Sequence, residues 1–228
     1  MTETYKDIAF QLTRSKRKTA SIYIERDGSI SVRVPKTLPQ KKVETILENK
    51  RVWIYRGLAE WEDLNAARVK REYVNGEGFL YLGRTYRLKV VKRQSEPLKL
   101  KEGYFCLRLS NGTRPDESFK GFYAEKGLER IRERVAYYQR KIGVEPKDVQ
   151  VKELFYRWAS CSSKGRLNFH WKCMMAPLTI IDYIVVHELA HMKHPRHNSA
   201  FWNEVDKVMP EYHLRREWLK VNGAGMEL

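Results

Sequence analysis

The stretch VVHELAHMKHPRHNSAFW, Val185 to Trp202, holds four of the chain's six histidines, His187, His191, His194 and His197, with Glu188 among them. His187, Glu188 and His191 form H-E-x-x-H. Residues four apart on an α-helix lie one turn above each other on one face, so both imidazoles can reach a single ion. Helical spacing of Ile181, Val185, Leu189 and Met192 predicts that helix and gives it a buried stripe. Thr179 with Asp182 three residues on reads as a capping box, and Pro177 sits near the helix start. The β-branched run IIDYIVV also fits a strand, but length and the capping signal favour helix.

A catalytic zinc ion takes three protein ligands and keeps its fourth position for water, so two histidines leave one ligand to find. His197 is the candidate. Pro195 is expected to stop the helix soon after Met192 to His194 and let the chain turn back. Metzincin proteases place a third histidine at the same offset. His194 would serve instead only if the helix ran on through Pro195. Glu188 stands about 100° round the helix from His187, where a carboxylate can take a proton from activated water and later deliver it to a leaving group. The expected metal ligands are therefore His187, His191 and His197, the catalytic base is Glu188, and the cofactor is Zn2+. The plain alternative is a set of surface histidines on an amphipathic helix. His170 and His213 read as ordinary side chains, with His213 or Tyr212 as a second thought for an electrophile.

With 228 residues, 42% of them apolar, the chain can bury one large core or two smaller ones, and two are expected. No window approaches the roughly 18 to 20 apolar residues of a membrane span, and MTETYKDIAF lacks a basic start followed by an apolar run. Three cysteines, Cys106, Cys161 and Cys173, are too few and too odd in number for a secreted disulfide framework. A cytoplasmic protein without membrane contact is the expectation. The formal charge of +16, from 44 basic against 28 acidic residues, favours polyanionic partners without defining a site. Its sharpest excess is TRSKRK, ending at Lys18, read as a solvated strand edge or a nucleic-acid contact.

The fold class predicted is α+β, an N-terminal module of antiparallel strands and helix followed by a catalytic core with an H-E-x-x-H helix. TASIYIERDGSISVRV, Thr19 to Val34, alternates around Asp27-Gly28 and predicts a hairpin. Val43, Ile46, Leu47, Ile54, Leu58 and Trp61 then predict one long helix covering it. YVNGEGFLYLGRTYRLKVVKR and YFCLRL return to strand chemistry. SNGTRPDESF, Ser110 to Phe119, is polar and rich in breakers, and marks the expected boundary between an N-terminal α+β module (1–112) and a catalytic domain (113–228), with a long loop inside one domain as the alternative. Past it, Phe122, Leu128, Ile131, Val135, Tyr138 and Ile142 predict a helix ending at Gly143. VQVKELFYRWASCSSKGRLNFHW predicts a second hairpin turning at Ser163-Lys164-Gly165. No internal repeat is visible.

On RWASCS (Arg157 to Ser162), APLTIIDYIVVHELAHMKHPRHNSAFW (Ala176 to Trp202), and the trailing MPEY and WLK, the sequence resembles the YgjP-like (DUF45) family of metal-dependent hydrolases, related to SprT-like and Wss1-like metalloproteases. Weaker likeness in RSKRKTASIYIERDGSISVRVP and YLGRTYRL extends this over nearly the whole chain. The resemblance implies His187, His191 and His197 as zinc ligands, Glu188 as base, and a minimal zincin-like core. It also implies a last helix burying Phe201, Trp202, Val205, Val208 and Met209. Ala159 departs from the glycine common at that place, and Cys161 is a candidate fourth, inhibitory ligand.

Three activities are compatible with these residues. A zinc metallopeptidase would take a polypeptide substrate along a strand edge near Arg157 to Cys161 or Asn168 to Trp171. A nucleoside triphosphate pyrophosphatase would use the same metal site, the charge attracting its substrate. A nucleic-acid-associated protease of SprT-like kind would use basic surface for non-specific contact. No helix-turn-helix or zinc-finger pattern is present.

Overall fold

Alternating apolar and polar residues build three mixed sheets, and longer periodic runs build the helices that cover them. The computed structural model describes residues 2–25, 28–65, 71–110, 112–154 and 157–228. The chain divides into two compact units, Met1–Arg68 and Val69–Leu228.

In the first unit β1 (Thr2–Tyr5), β2 (Ile8–Ser15), β3 (Ser21–Ile24) and β4 (Ile30–Pro35) lie in the order β1-β2-β4-β3, with β2 and β4 parallel. Ile8, Phe10, Ile30, Val32 and Val34 share its buried core with Val43, Leu47 and Ile54 of the helices α1 (Gln40–Asn49) and α2 (Arg51–Asn65). The expected hairpin is β3 with β4; Gly28 takes φ +80° at its turn, and Asp27 lies outside the described residues. The single helix expected from Val43 to Trp61 is instead two, separated at Lys50 (φ −104°, ψ 5°). That change of direction still lets Val43, Leu47 and Ile54 reach the same core.

In the second unit β5 (Gly78–Tyr81), β6 (Arg84–Val91), β7 (Leu98–Lys101) and β8 (Tyr104–Arg108) have the order β5-β6-β8-β7, with β6 and β8 parallel. This repeats the topology of the first sheet, two hairpins joined through their second strands, although the sequence shows no repeat; the junction is parallel in both, which corrects the purely antiparallel expectation. The 28-residue helix α3 (Pro115–Ile142) follows and ends at Gly143, which adopts φ +72° and donates its N–H to the Gln139 carbonyl. Then come β9 (Asp148–Lys152), β10 (Ala159–Cys161) and β11 (Arg166–His170), in the order β10-β11-β9. A 3-10 turn (Trp171–Met175) leads into α4 (Leu178–Ala190), α5 (Ser199–Val208) and α6 (Tyr212–Asn222). No helix among the described residues is long and apolar enough to cross a membrane.

The boundary expected after residue 112 falls inside this second unit. Ser110 to Phe119 reads as a linker, yet Pro115 opens α3 and Asp116 and Glu117 occupy its first turn, where acidic groups complement the helix dipole. Phe119, Phe122 and Tyr123 of α3 then bury in one core with Phe79, Leu88 and Phe105 of the sheet. The expected capping box is also replaced. Pro177 precedes α4 with no side-chain cap, and Asp182 points inward instead. It accepts hydrogen bonds from Arg134 Nε (2.6 Å) and Nη2 (2.9 Å) and from the Tyr138 hydroxyl (3.2 Å).

The β5–β6 turn braces the entry to α4. Leu82 and Gly83 donate their N–H groups to the carbonyls of Met174 (2.8 Å) and Met175 (3.1 Å). Gly83 has φ +77°, and a Cβ there would sit 2.7 Å from Pro177 Cγ and 2.9 Å from Pro177 Cα. Gly76 has φ +88° with nothing within 4 Å of such a Cβ. Gly83→Ala is therefore expected to lower unfolding free energy by about 2–4 kcal/mol in chemical denaturation, and Gly76→Ala by only about 1–2 kcal/mol. Equal losses would show that the contact with Pro177 carries no energy.

Candidate metal centre

Helix α4 is enclosed because its sequence is apolar on nearly all sides; α3, α5, α6 and β10 pack around it. From Ile180 to Ala190 every residue is buried except His187, which marks the face left open. The helix ends at Ala190, earlier than expected. His191 is its C-cap, still in helical conformation, and the next residues tighten, with Lys193 and His194 both donating N–H groups to the Ala190 carbonyl. Pro195 follows, and the chain returns so that His197 stands beside the helix. Asn198 starts α5 by accepting the Phe201 N–H at 3.0 Å.

One ligand atom from each of His187, His191 and His197 lies within 4.8 Å of the others. Nε2 of His187 and Nε2 of His197 are 3.0 Å apart, within the span of ligand atoms that share one ion through bonds of roughly 2.0–2.1 Å. His191 Nδ1 lies 3.2 Å from the His194 carbonyl, which orients the ring and leaves Nε2 for the cluster. His194 contributes that carbonyl and its imidazole stays outside the cluster, as does the Cys161 sulfur. Beneath the three rings lies Phe201, its centroid 4.9, 4.6 and 4.8 Å from those of His187, His191 and His197. Trp202 stacks on His197 at 5.7 Å and on Tyr212 at 5.1 Å.

Burial keeps these imidazoles neutral, the form in which they bind metal. It pushes His187 down to about 3, with help from the neighbouring histidines and Arg216, and it also lowers His191 and His197. Burial has the opposite effect on Glu188, whose carboxyl is raised to about 8 against the pull of Arg157 and a hydrogen bond from the Cys161 N–H. Two adjacent polar atoms, His187 Nδ1 and Glu188 Oε2, are buried with no hydrogen-bond partner among the described residues. Three converging neutral imidazoles are the donor chemistry of a divalent-cation site, and the residues fit that group.

Other histidines have different roles. His170 is buried, its Nδ1 accepting the Lys172 N–H at 3.0 Å and its Nε2 lying 3.0 Å from Glu153. His213 is exposed; Tyr212, not His213, borders the site through Trp202. Sequence reasoning missed Tyr183 and Arg216. Tyr183 lies four residues before His187, a spacing that could have found it, and its ring meets His187 edge-on at 5.9 Å. Burial raises its phenol to about 12, so it remains a hydrogen-bond donor. Arg216, on α6, left no local signal.

A family model described as YgjP-like, metallopeptidase domain, matches residues 18–222. The chain belongs to the YgjP-like family, and the class of activity is that of a metal-dependent hydrolase. Among solved structures it is similar to the metallopeptidase zymogen of Pyrococcus abyssi abylysin, at 26% identity and TM-score 0.37, over 40% of this chain and 95% of that one. The metallopeptidase zymogen of Methanocaldococcus jannaschii jannalysin shares 22% identity at TM-score 0.34, over 38% and 93%. No curated protein matches the chain.

Metal titration by calorimetry is expected to find one divalent ion per chain. Replacing His187, His191 or His197 by alanine should weaken it by at least about a hundredfold, and chelation should lower the melting temperature by mass action. His194→Ala retains the carbonyl that orients His191 and should bind as the parent does. Undiminished affinity in His197→Ala would remove that residue from the site.

Proposed function

We propose that the protein is a zinc-dependent peptidase in which His187, His191 and His197 hold the ion and Glu188 is the general base. The observation that carries this reading is the unpartnered, buried Oε2 of Glu188 beside the three histidines. Three neutral imidazoles suit zinc better than magnesium or calcium, which prefer oxygen ligands. When bound, zinc supplies a Lewis acid that polarises the scissile carbonyl and acidifies water.

The remaining chemistry belongs to the chain. Burial raises the Glu188 carboxyl to about 8, and beside a bound cation its ionised form is favoured. With one oxygen toward the Cys161 N–H, it then has Oε2 available to take the proton of the attacking water and return it to the departing amine. Phe201 and Trp202 form an apolar floor and wall that limit water around the reacting groups. Strand β10 supplies a docking edge, since among the described residues it pairs with β11 alone. His170 donates its N–H to the Trp158 carbonyl and Ser162 to that of Arg166. Antiparallel ladder bonds alternate, so Ala159 and Cys161 turn their backbone groups away from β11; the Cys161 N–H is engaged by Glu188, which leaves the Ala159 groups and the Cys161 carbonyl for an extended peptide adding as a strand. Of the two edges considered from the sequence this favours Arg157 to Cys161, because β11 is flanked on both sides.

Glu188→Gln keeps the shape of the side chain and removes the base. Zinc content by atomic absorption should match the parent, while kcat/KM on an unfolded protein substrate falls by about 10²–10⁴-fold. Full activity in that variant would sink this mechanism. Pyrophosphate release from nucleoside triphosphates, lost in the variant while no peptide bond is cut, would transfer the same residues to phosphoanhydride chemistry.

A further inference from the structure

Two arginines at the candidate metal centre have no ion-pair partner among the described residues. Arg216 of α6 places its guanidinium 5.2 Å from the centre of the Trp202 ring, and Trp202 is the side chain stacked on His197. Its charge reaches His187, His197 and the Tyr183 phenol. Arg157 lies two residues ahead of β10, whose Cys161 N–H holds Glu188, and its charge reaches that carboxylate. Both are exposed, and neither forms an ion pair with any described residue. Arg134, Arg130 and Arg71 of this unit are paired with Asp182, Glu133 and Glu77, while several other surface arginines are not, so what sets Arg157 and Arg216 apart is their place beside Glu188 and the histidines. Glu188, whose charge reaches Tyr183 and Cys161, is buried.

Resting on the peptidase reading, we infer that Arg157 and Arg216 select the substrate, and that it is a peptide carrying acidic side chains next to the bond that is cut. An extended chain added to β10 passes the Arg157 end of the strand, and Arg216 lies across the histidines on the Trp202 wall. Carboxylates on that chain gain charge-assisted hydrogen bonds from guanidiniums that form no ion pair with any described residue. Lysine at the same places meets repulsion at both. The peptide is preferred to a nucleotide because the open backbone edge of β10 offers strand pairing, which a nucleotide does not use.

The test uses three matched peptides differing only in the residues flanking the scissile bond, glutamate, glutamine or lysine. Zinc-loaded full-length protein provides turnover, and calorimetry on both metal-free protein and Glu188→Gln provides binding. The glutamate peptide should be cut with roughly tenfold or greater kcat/KM than the glutamine peptide and bound with affinity that falls as salt rises. Arg216→Gln and Arg157→Gln should each bring the glutamate peptide toward its glutamine counterpart. Arg216→Glu should reverse the order in favour of lysine, with circular dichroism confirming that the variant is folded. Equal kcat/KM and equal affinity for all three peptides, or equal losses on all three in the variants, would overturn the inference. If no peptide is cut but the glutamate peptide still binds in an arginine-dependent way, the peptidase reading fails while selection by charge stands. Tighter binding of the lysine peptide, or cleavage of nucleoside triphosphates alone, refutes it.

Discussion

Arg134 and Asp182 meet through two hydrogen bonds of 2.6 and 2.9 Å, with the Tyr138 hydroxyl as a third donor, and this contact fixes the longest helix against the one that bears the histidines. Asp182 is buried in a helix of mostly apolar residues. Such a carboxylate is tolerable only with its oxygens satisfied, so α4 has few alternative positions relative to α3. Residues near the start of α3, Phe119 to Tyr123, take up the sheet β5–β8, and residues near its end, Ile131 to Ile142, take up α4 and β9. His187 and Glu188 follow Asp182 by five and six residues, on a helix whose rotation this pairing has set.

The fold was legible where periodicity is local. The stripes of α3 and α4, the stop at Gly143, the β3–β4 hairpin and the β10–β11 hairpin all follow from patterns within a few residues of each other. Partners distant in sequence defeated the rest. Asp182 has the spacing of a capping residue, yet Arg134, 48 positions away, claims it. Ser110 to Phe119 has the composition of a linker, but Pro115 begins a helix and Phe119 is buried by the preceding sheet. Ile8, Phe10 and Leu12 alternate in β2, but the run is short and passes directly into basic residues, which masks its strand signal. The shared topology of the two four-stranded sheets is a matter of strand order, to which a search for repeated residues is blind.

The candidate site divides in the same way. His187, Glu188 and His191 share one stretch of helix, and Pro195 predicts the return that brings His197 back, so all four were nameable without a structure. Arg216, Trp202 and Tyr212 reach the site because α5 and α6 pack against α4, and nothing in their spacing announces it. Phe201 and Trp202 read from the sequence as core. Phe201 is core and floor at once, whereas Trp202 is only partly buried and forms the wall.

Most of this unit obeys the rule that buried polar groups find partners: Tyr123 donates to the Leu80 carbonyl at 2.6 Å, Trp171 to Glu153 at 2.7 Å, and Lys172 to Glu227 at 2.5 Å. His187 Nδ1 and Glu188 Oε2 break it at consecutive positions in the best-packed helix. Leaving such a group unsatisfied costs about 1–3 kcal/mol, and apolar replacements would pack there without that loss. A chain selected for stability alone would therefore not keep them. Under the proposed function, these two groups are stability given up for reactivity, with the surrounding contacts of α3, α5 and α6 supplying the rigidity that makes the loss tolerable.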